Sequence, residues 1–171
     1  MIQPWKKIGS ELIGNFRIFT LRSDKRVSPR TNRVHDFFVL ESVNWVNVVA
    51  VTPDRQLVMI EQFRHGSETI ELEVPGGMMD PGDASPIAAG LRELREETGM
   101  DSAELLALGG FFMVAGYSNE YMHAFLALGL REAPLDQDED EFLTLTRMPL
   151  VELYQRAWAG EIKDGKTIVT L

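Results

Sequence analysis

The chain has no cysteine, only three histidines and no long apolar run among its 171 residues. Lack of cysteine excludes disulfides, thiolate metal sites and cysteine nucleophiles. The histidines, His35, His65 and His123, show no metal-ligand spacing and are read as structural or exposed. No segment approaches the roughly 20 apolar residues of a membrane helix, and none follows Lys6 and Lys7, so no membrane partner is expected and the chain is assigned to the cytoplasm. Basic residues are scarce too: 17 Lys and Arg face 26 Asp and Glu, for a net charge of -9. That sign is wrong for a duplex-binding surface, and no nucleic acid is expected as partner. What is present, 44% apolar and 25% charged residues, suits a globular domain with a substantial core.

Short apolar runs at Phe37 to Leu40, Val46 to Val51 and Leu57 to Ile60 are rich in β-branched or aromatic residues and read as strands. Pro53-Asp54 makes a tight connection, so residues 45 to 64 are expected to form a hairpin. Further strands are expected at 16–21, 105–114, 121–130 and 142–146, with a turn at 28–32. From Pro86 to Thr98, Ile87, Ala88, Leu91 and Leu94 recur at helical spacing, with proline at the start and Gly99 at the stop. A second helix is expected over 150–159. The pattern predicts an α/β fold with a mixed sheet, an N-terminal strand or hairpin extension over residues 1–40 and a catalytic domain over 41–171.

The chemistry is concentrated on the first helix. Glu93, Glu96 and Glu97 stand at i, i+3 and i+4, so their carboxylates share one face within reach of a common ion. Oxygen-only ligands suit a hard cation, and magnesium binds through a few carboxylates together with substrate phosphates. Taken alone, such a string is more often a solvated charged face. Its surroundings point the other way: Pro75-Gly76-Gly77-Met78-Met79-Asp80-Pro81-Gly82-Asp83 supplies a glycine-bearing loop upstream, and Thr98-Gly99-Met100 closes the helix downstream.

Residues 92 to 100, Arg-Glu-Leu-Arg-Glu-Glu-Thr-Gly-Met, resemble the second half of the Nudix signature throughout. Two departures precede it. Asp83 stands where the family has glutamate, and eight residues rather than seven separate it from Arg92. The resemblance spans roughly residues 35 to 171. It leans toward the ADP-ribose and nucleoside diphosphate sugar pyrophosphatase branch through Val58 to Arg64, Glu71 to Gly77, Ser118-Asn119-Glu120, Asp138 to Phe142 and Gly160 to Asp164. Ala115 occupies a position where that branch often carries proline.

The resemblance implies a Nudix fold, a mixed sheet sandwiched between helices. It also implies Mg2+-dependent cleavage, with Mn2+ as an alternative, of the pyrophosphate linkage of a small nucleotide, ADP-ribose or a nucleotide sugar. Glu93 and Glu97 are the expected direct metal ligands, with Glu96 a third or water-bridged one and the Gly76 carbonyl a backbone ligand. A glutamate of the acidic run 136–141 is the expected general base, which leaves Glu139 and Glu141 as candidates and Asp140 behind them. By the same resemblance Arg64 contacts a substrate phosphate, and Glu73 lies near the terminal ribose and the metal. Among Trp45, Phe37, Trp5 and Tyr117, any of which offers a flat surface for the nucleobase, Phe37 and Trp5 lie in the region this branch exchanges between subunits. A homodimer is therefore expected, with residues 1–40 crossing to the partner and helping to complete its pocket. The competing readings are hydrolysis of dinucleoside polyphosphates or capped RNA, and a sensor that binds ADP-ribose without cutting it.

Overall fold

The computed structural model describes residues 1–137 and 141–171. The chain divides into two compact units, Met1–Asn44 with Phe112–Tyr121, and Trp45–Phe111 with Met122–Leu171.

The first unit is built on an antiparallel sheet in the order β1 (Lys6–Asn15), β2 (Phe19–Val27), β3 (Val34–Ser42). The expected hairpin thus gains a third strand and runs past residue 40. Phe16 to Ile18, expected as strand, forms the β1–β2 turn, closed by the Phe16 N–H donating to the Phe19 carbonyl, with Arg17 at a φ of 69°. The expected turn at 28–32 is present, where the Asn32 N–H donates to the Ser28 carbonyl.

The second unit carries seven strands among the described residues: β4 (Trp45–Val51), β5 (Gln56–Arg64), β6 (Thr69–Glu73), β7 (Gly76–Met78), β8 (Met100–Phe112), β9 (Tyr121–Glu132) and β10 (Leu143–Pro149). Its spine runs β10-β5-β4-β9-β8, and β4 lies parallel to β9 and antiparallel to β5 and β7, which makes the sheet mixed. Side chains alternate across β4. Val46, Val48 and Ala50 join Ala89 and Leu94 of helix α1 (Pro86–Thr98) in one core. Val49 turns to the other face and joins Leu57, Met59, Met148 and Leu153, the last from helix α2 (Leu150–Trp158). The period of two along the strand places a helical layer on each face. A short helix α3 (Gly165–Thr170) ends the chain and packs on β4.

Helix α1 spans the expected residues because both ends are encoded locally. The Ser85 hydroxyl accepts from the Ala88 N–H, proline opens the first turn, and Gly99 closes the helix in the left-handed region at a φ of 71°. No helix among the described residues is long and apolar enough to cross a membrane.

The geometry that makes room for a site is a split between two neighbouring strands. β4 and β5 share only the register pairs Ala50↔Val58 and Val51↔Leu57. Toward its start β4 pairs with β7 instead, through Trp45↔Met78, Val46↔Gly77 and Asn47↔Gly76, while β5 continues against β6 and β10.

Candidate active site

A cavity of about 210 Å³ lies at that split, lined by Trp45, Gln62 and Arg64, by Gly76 to Met78, by Arg92, Glu93, Glu96 and Glu97 of α1, and by Glu141. Spacing along one helix turn brings the three glutamates of α1 together, as their i, i+3, i+4 positions require. Glu141 arrives from the acidic run. Of the other candidates for the base, Glu139 and Asp140 lie outside the described residues.

The glycines are there for close approach. A methyl group on Gly77 would stand 2.6 Å from the Glu93 carboxylate, and one on Gly76, whose φ is 154°, would stand 2.1 Å from the Val46 carbonyl. Only glycine fits position 76, where the obstacle is backbone and φ is positive, and a side chain at 77 would displace the Glu93 carboxylate. The Gly76 N–H also donates to Glu97 Oε2 at 2.7 Å, fixing that carboxylate from the backbone.

Burial sets the electrostatics. Glu97 is 2% exposed and Glu93 is 7% exposed. Burial raises the Glu93 carboxyl to about 7, with Glu96 and Glu141 adding to the rise and Arg92 opposing it. Glu97 is raised well above the ordinary carboxyl range by burial and then by Glu93, against the Gly76 N–H and Arg64. Like charges held this way favour protonation or a shared cation.

Arg92 clamps the helix face. Its Nη1 donates to Glu93 Oε1 at 2.9 Å and to Glu96 Oε2 at 2.8 Å, and its Nη2 donates to the Met78 carbonyl at 2.9 Å. Asp83 accepts two bonds from the same guanidinium, at 3.2 and 3.0 Å. The residue that departs from the Nudix signature therefore acts on Arg92. Its carboxyl is held low, mainly by that guanidinium.

Arg64 and Glu73 meet directly, in a fork of two 2.6 Å bonds from Nε and Nη2 to the two carboxylate oxygens. Glu73 is 2% exposed, and Lys166 approaches it at 3.4 Å. Although burial pushes the Glu73 carboxyl up, these two cations outweigh it and hold the group below its ordinary value. Arg64 lines the carboxylate cavity, whereas Glu73 anchors Arg64 from the side. On its other side Arg64 borders a second cavity of about 480 Å³, with Ser67, Thr69, Lys163 and Lys166.

Trp5 and Phe37 belong to the other unit, where their rings meet edge to face at 5.3 Å. They line a cavity of about 470 Å³ there with Arg22, Arg26 and Tyr117. Two contributions escaped the sequence reading. Lys166 sits over the Trp45 ring, 5.1 Å from its centroid, and also pairs with Glu73. Asp24, fully buried in the first unit, accepts from Ser10, Arg22 and Arg26. Lys166 did not show in motif spacing because its partners are distant in the chain, whereas Asp24 pairs with Arg22 and Arg26 two residues to either side and with Ser10 across the β1–β2 ladder.

The donor set fits a hard cation. It consists of oxygen atoms only, two of its carboxylates are buried with their charges in conflict, and a glycine edge lies against them. Among the described residues no three acidic or histidine side chains are grouped so as to hold an ion as they stand. Arg92 takes an oxygen of Glu93 and one of Glu96, and the Gly76 N–H takes one of Glu97.

Residues 43–168 match the family model described as the NUDIX domain. The chain is 32% identical to the methanol dehydrogenase activator of Bacillus methanolicus over 97% of its own length and 90% of that protein. It is 31% identical to the ADP-ribose pyrophosphatase of Mycobacterium tuberculosis (strain ATCC 25618 / H37Rv), over 96% of its length and 80% of the relative. A crystal structure of an ADP compounds hydrolase superposes with a TM-score of 0.89 at 24% identity, covering 99% of this chain and 91% of the other.

Proposed function

Since the chain belongs to the Nudix family and is a pyrophosphohydrolase of nucleoside diphosphate derivatives, we propose that it cleaves ADP-ribose or a nucleotide sugar, with Mg2+ or Mn2+, in the cavity of Glu93, Glu96, Glu97 and Glu141. The observation that carries this reading is the convergence of four carboxylates, the Gly76 edge and Arg64 on one cavity. Glu93, Glu97 and the Gly76 carbonyl are the proposed ligands of the cation, with Glu96 a further or water-bridged one. When bound, the cation neutralises charge on the phosphates and polarises the phosphorus under attack.

The chain's own residues divide the remaining work. Arg64, braced by Glu73, presents its guanidinium to a substrate phosphate. Glu141 takes the proton of the attacking water, whose oxygen bonds to phosphorus as the bridging P–O bond breaks and its electron pair leaves with the departing phosphate. For ADP-ribose the products are AMP and ribose 5-phosphate. Arg92 positions Glu93 and Glu96, and Asp83 positions Arg92. Glu141 is proposed as the base because it lines the cavity, and Glu139 stays beside it as the other candidate of the acidic run.

The first unit is assigned to dimerisation. Ile8, Leu12, Ile13, Phe16 and Ile18 are exposed on β1 and its turn, an apolar edge that a second copy would cover. Residues 1–40 then cross to the partner, and Trp5 and Phe37 receive the nucleobase. Light scattering should give a dimer at assay concentration, and a fully active monomer would remove this part of the reading.

A product-resolved substrate panel with Mg2+ and with Mn2+ tests the whole. AMP and a sugar phosphate are expected. Inorganic pyrophosphate released from nucleoside triphosphates, with no cleavage of ADP-ribose, would overturn the assignment.

A further inference from the structure

Two residues that line the carboxylate cavity each carry a buried polar atom with no role in the bonds described above. The indole Nε1 of Trp45 and the amide Oε1 of Gln62 are buried and have no hydrogen-bond partner among the described residues. Both residues line the cavity that holds Glu93, Glu96, Glu97 and Glu141. Leaving a buried polar group unpaired is costly, and folded proteins retain few of them.

Both residues are held beside the cavity by the sheet. Trp45 is held opposite Met78 on β7 and beside Met122 on β9, with the Lys166 ammonium over its ring. Gln62 is two residues from Arg64 on β5, so the two side chains leave the strand on one face, and its backbone is flanked by Glu71 of β6 and Leu143 of β10.

The chemistry of the pair narrows the partner. Indole nitrogen only donates and the amide oxygen only accepts. A phosphate oxygen would satisfy Trp45 and leave Gln62 unpaired, and a cation would do the reverse. A hydroxyl accepts and donates at once, and it satisfies both.

We infer that Trp45 and Gln62 form a hydroxyl-recognition pair that selects substrates carrying a sugar beyond the pyrophosphate. This rests on the proposed function, because that sugar is the hydroxyl source brought beside the carboxylates when they address the anhydride. A site built to pair a hydroxyl discriminates against the analogue that lacks it, since its polar groups are then left stranded. The two residues are specificity determinants and take no part in the bond-breaking step.

Calorimetric titration of the full chain with ADP-ribose, and with the β-methyl ester of ADP, tests the pair, because the ester keeps both phosphates and their charge but carries no second sugar. Wild type should prefer ADP-ribose by about tenfold or more. W45F keeps an aromatic platform under Lys166, Q62M keeps the side-chain length, and each should lose most of that preference. The double variant should lose little beyond the worse single one, because one hydroxyl is shared. Thermal unfolding checks each variant, and either one alone suffices should the other fail to fold. Absence of the preference in wild type, its survival in the variants, or equal losses for both ligands would overturn the pair and leave the two atoms bridging a structural water. AMP release by wild type is scored in parallel. Selective binding without cleavage would sink the proposed function and spare the pair, whereas cleavage with indifferent variants would do the opposite.

Discussion

Glu73 and Glu97 are equally buried, at 2% exposure each, and Arg64 acts on both, yet their carboxyls are pushed in opposite directions. Glu73 faces Arg64 in a bidentate fork and Lys166 beside it, so its charge is matched and its carboxyl is held low. Glu97 has one backbone N–H and lies near Glu93 and Glu141, so its charge is contested. A buried acid with its partners in place serves the architecture. One whose neighbours are also acids needs something the folded chain does not itself contain. The contrast separates a brace from a binding site within a single wall of the molecule.

The sharpest way to break the comparison is Glu97→Gln, which preserves shape and hydrogen bonding but removes the charge a cation requires. Turnover should fall by about three orders of magnitude, or about 4 kcal/mol in the barrier, while metal-free stability holds or rises because a contested charge is gone. Near-normal turnover at saturating Mg2+ would refute the ligand role.

Glu73→Gln should act on the fold. Removing one partner of a buried pair strands the other, at a cost of about 3 kcal/mol in urea unfolding. The sign with pH follows from the lowered carboxyl. Its stabilisation is complete above the unfolded value near 4.5 and is lost as pH falls through the lower folded value. The variant should therefore lack part of the wild-type loss of stability in acid. An unchanged unfolding midpoint at neutral pH would show that the fork contributes nothing.

Glu141→Gln should slow the chemical step by about a hundredfold with KM nearly constant, since a base acts in the transition state. A raised KM with kcat intact would assign Glu141 to binding instead.

The smallest effect is on thermal stability. Glu93 and Glu97 have raised carboxyls, so metal-free stability falls as pH climbs from about 4.5, the unfolded value, through about 7 for Glu93. A cation that binds their ionised forms competes with protons. Mg2+ at about thirty times its Kd should add about 2 kcal/mol, a rise in Tm of about 5 °C at pH 8, and much less at pH 5.5. Equal shifts at both pH values would locate the bound ion away from these carboxylates.

Much of this contrast could be read in advance at only one of its two poles. Ser85, Pro86 and Gly99 encode both ends of α1 within a few residues, and Glu93, Glu96 and Glu97 follow from helical spacing. Glu73 was legible as a candidate beside the metal but not as the anchor of Arg64, because the alternation of β6 does not reveal what lies opposite. The short strand β7 and helix α3 were missed for a related reason. Three residues of strand and six of helix carry too little periodicity to register, and both are held by contacts made elsewhere, β7 by Trp45 to Asn47 and α3 by its packing on β4.

By itself the sequence determined the helix, the shared face of its glutamates, the loop glycines and the acidic run, since each depends on neighbours within about ten residues. Tertiary structure alone decided which carboxylate found cations and which found other carboxylates. That choice came from the divergence of β4 from β5, from the approach of Gly77 to Glu93, and from Lys166 reaching back over Trp45. These are pairings across long stretches of chain, and burial turned them into opposite charge states through desolvation that no local pattern carries.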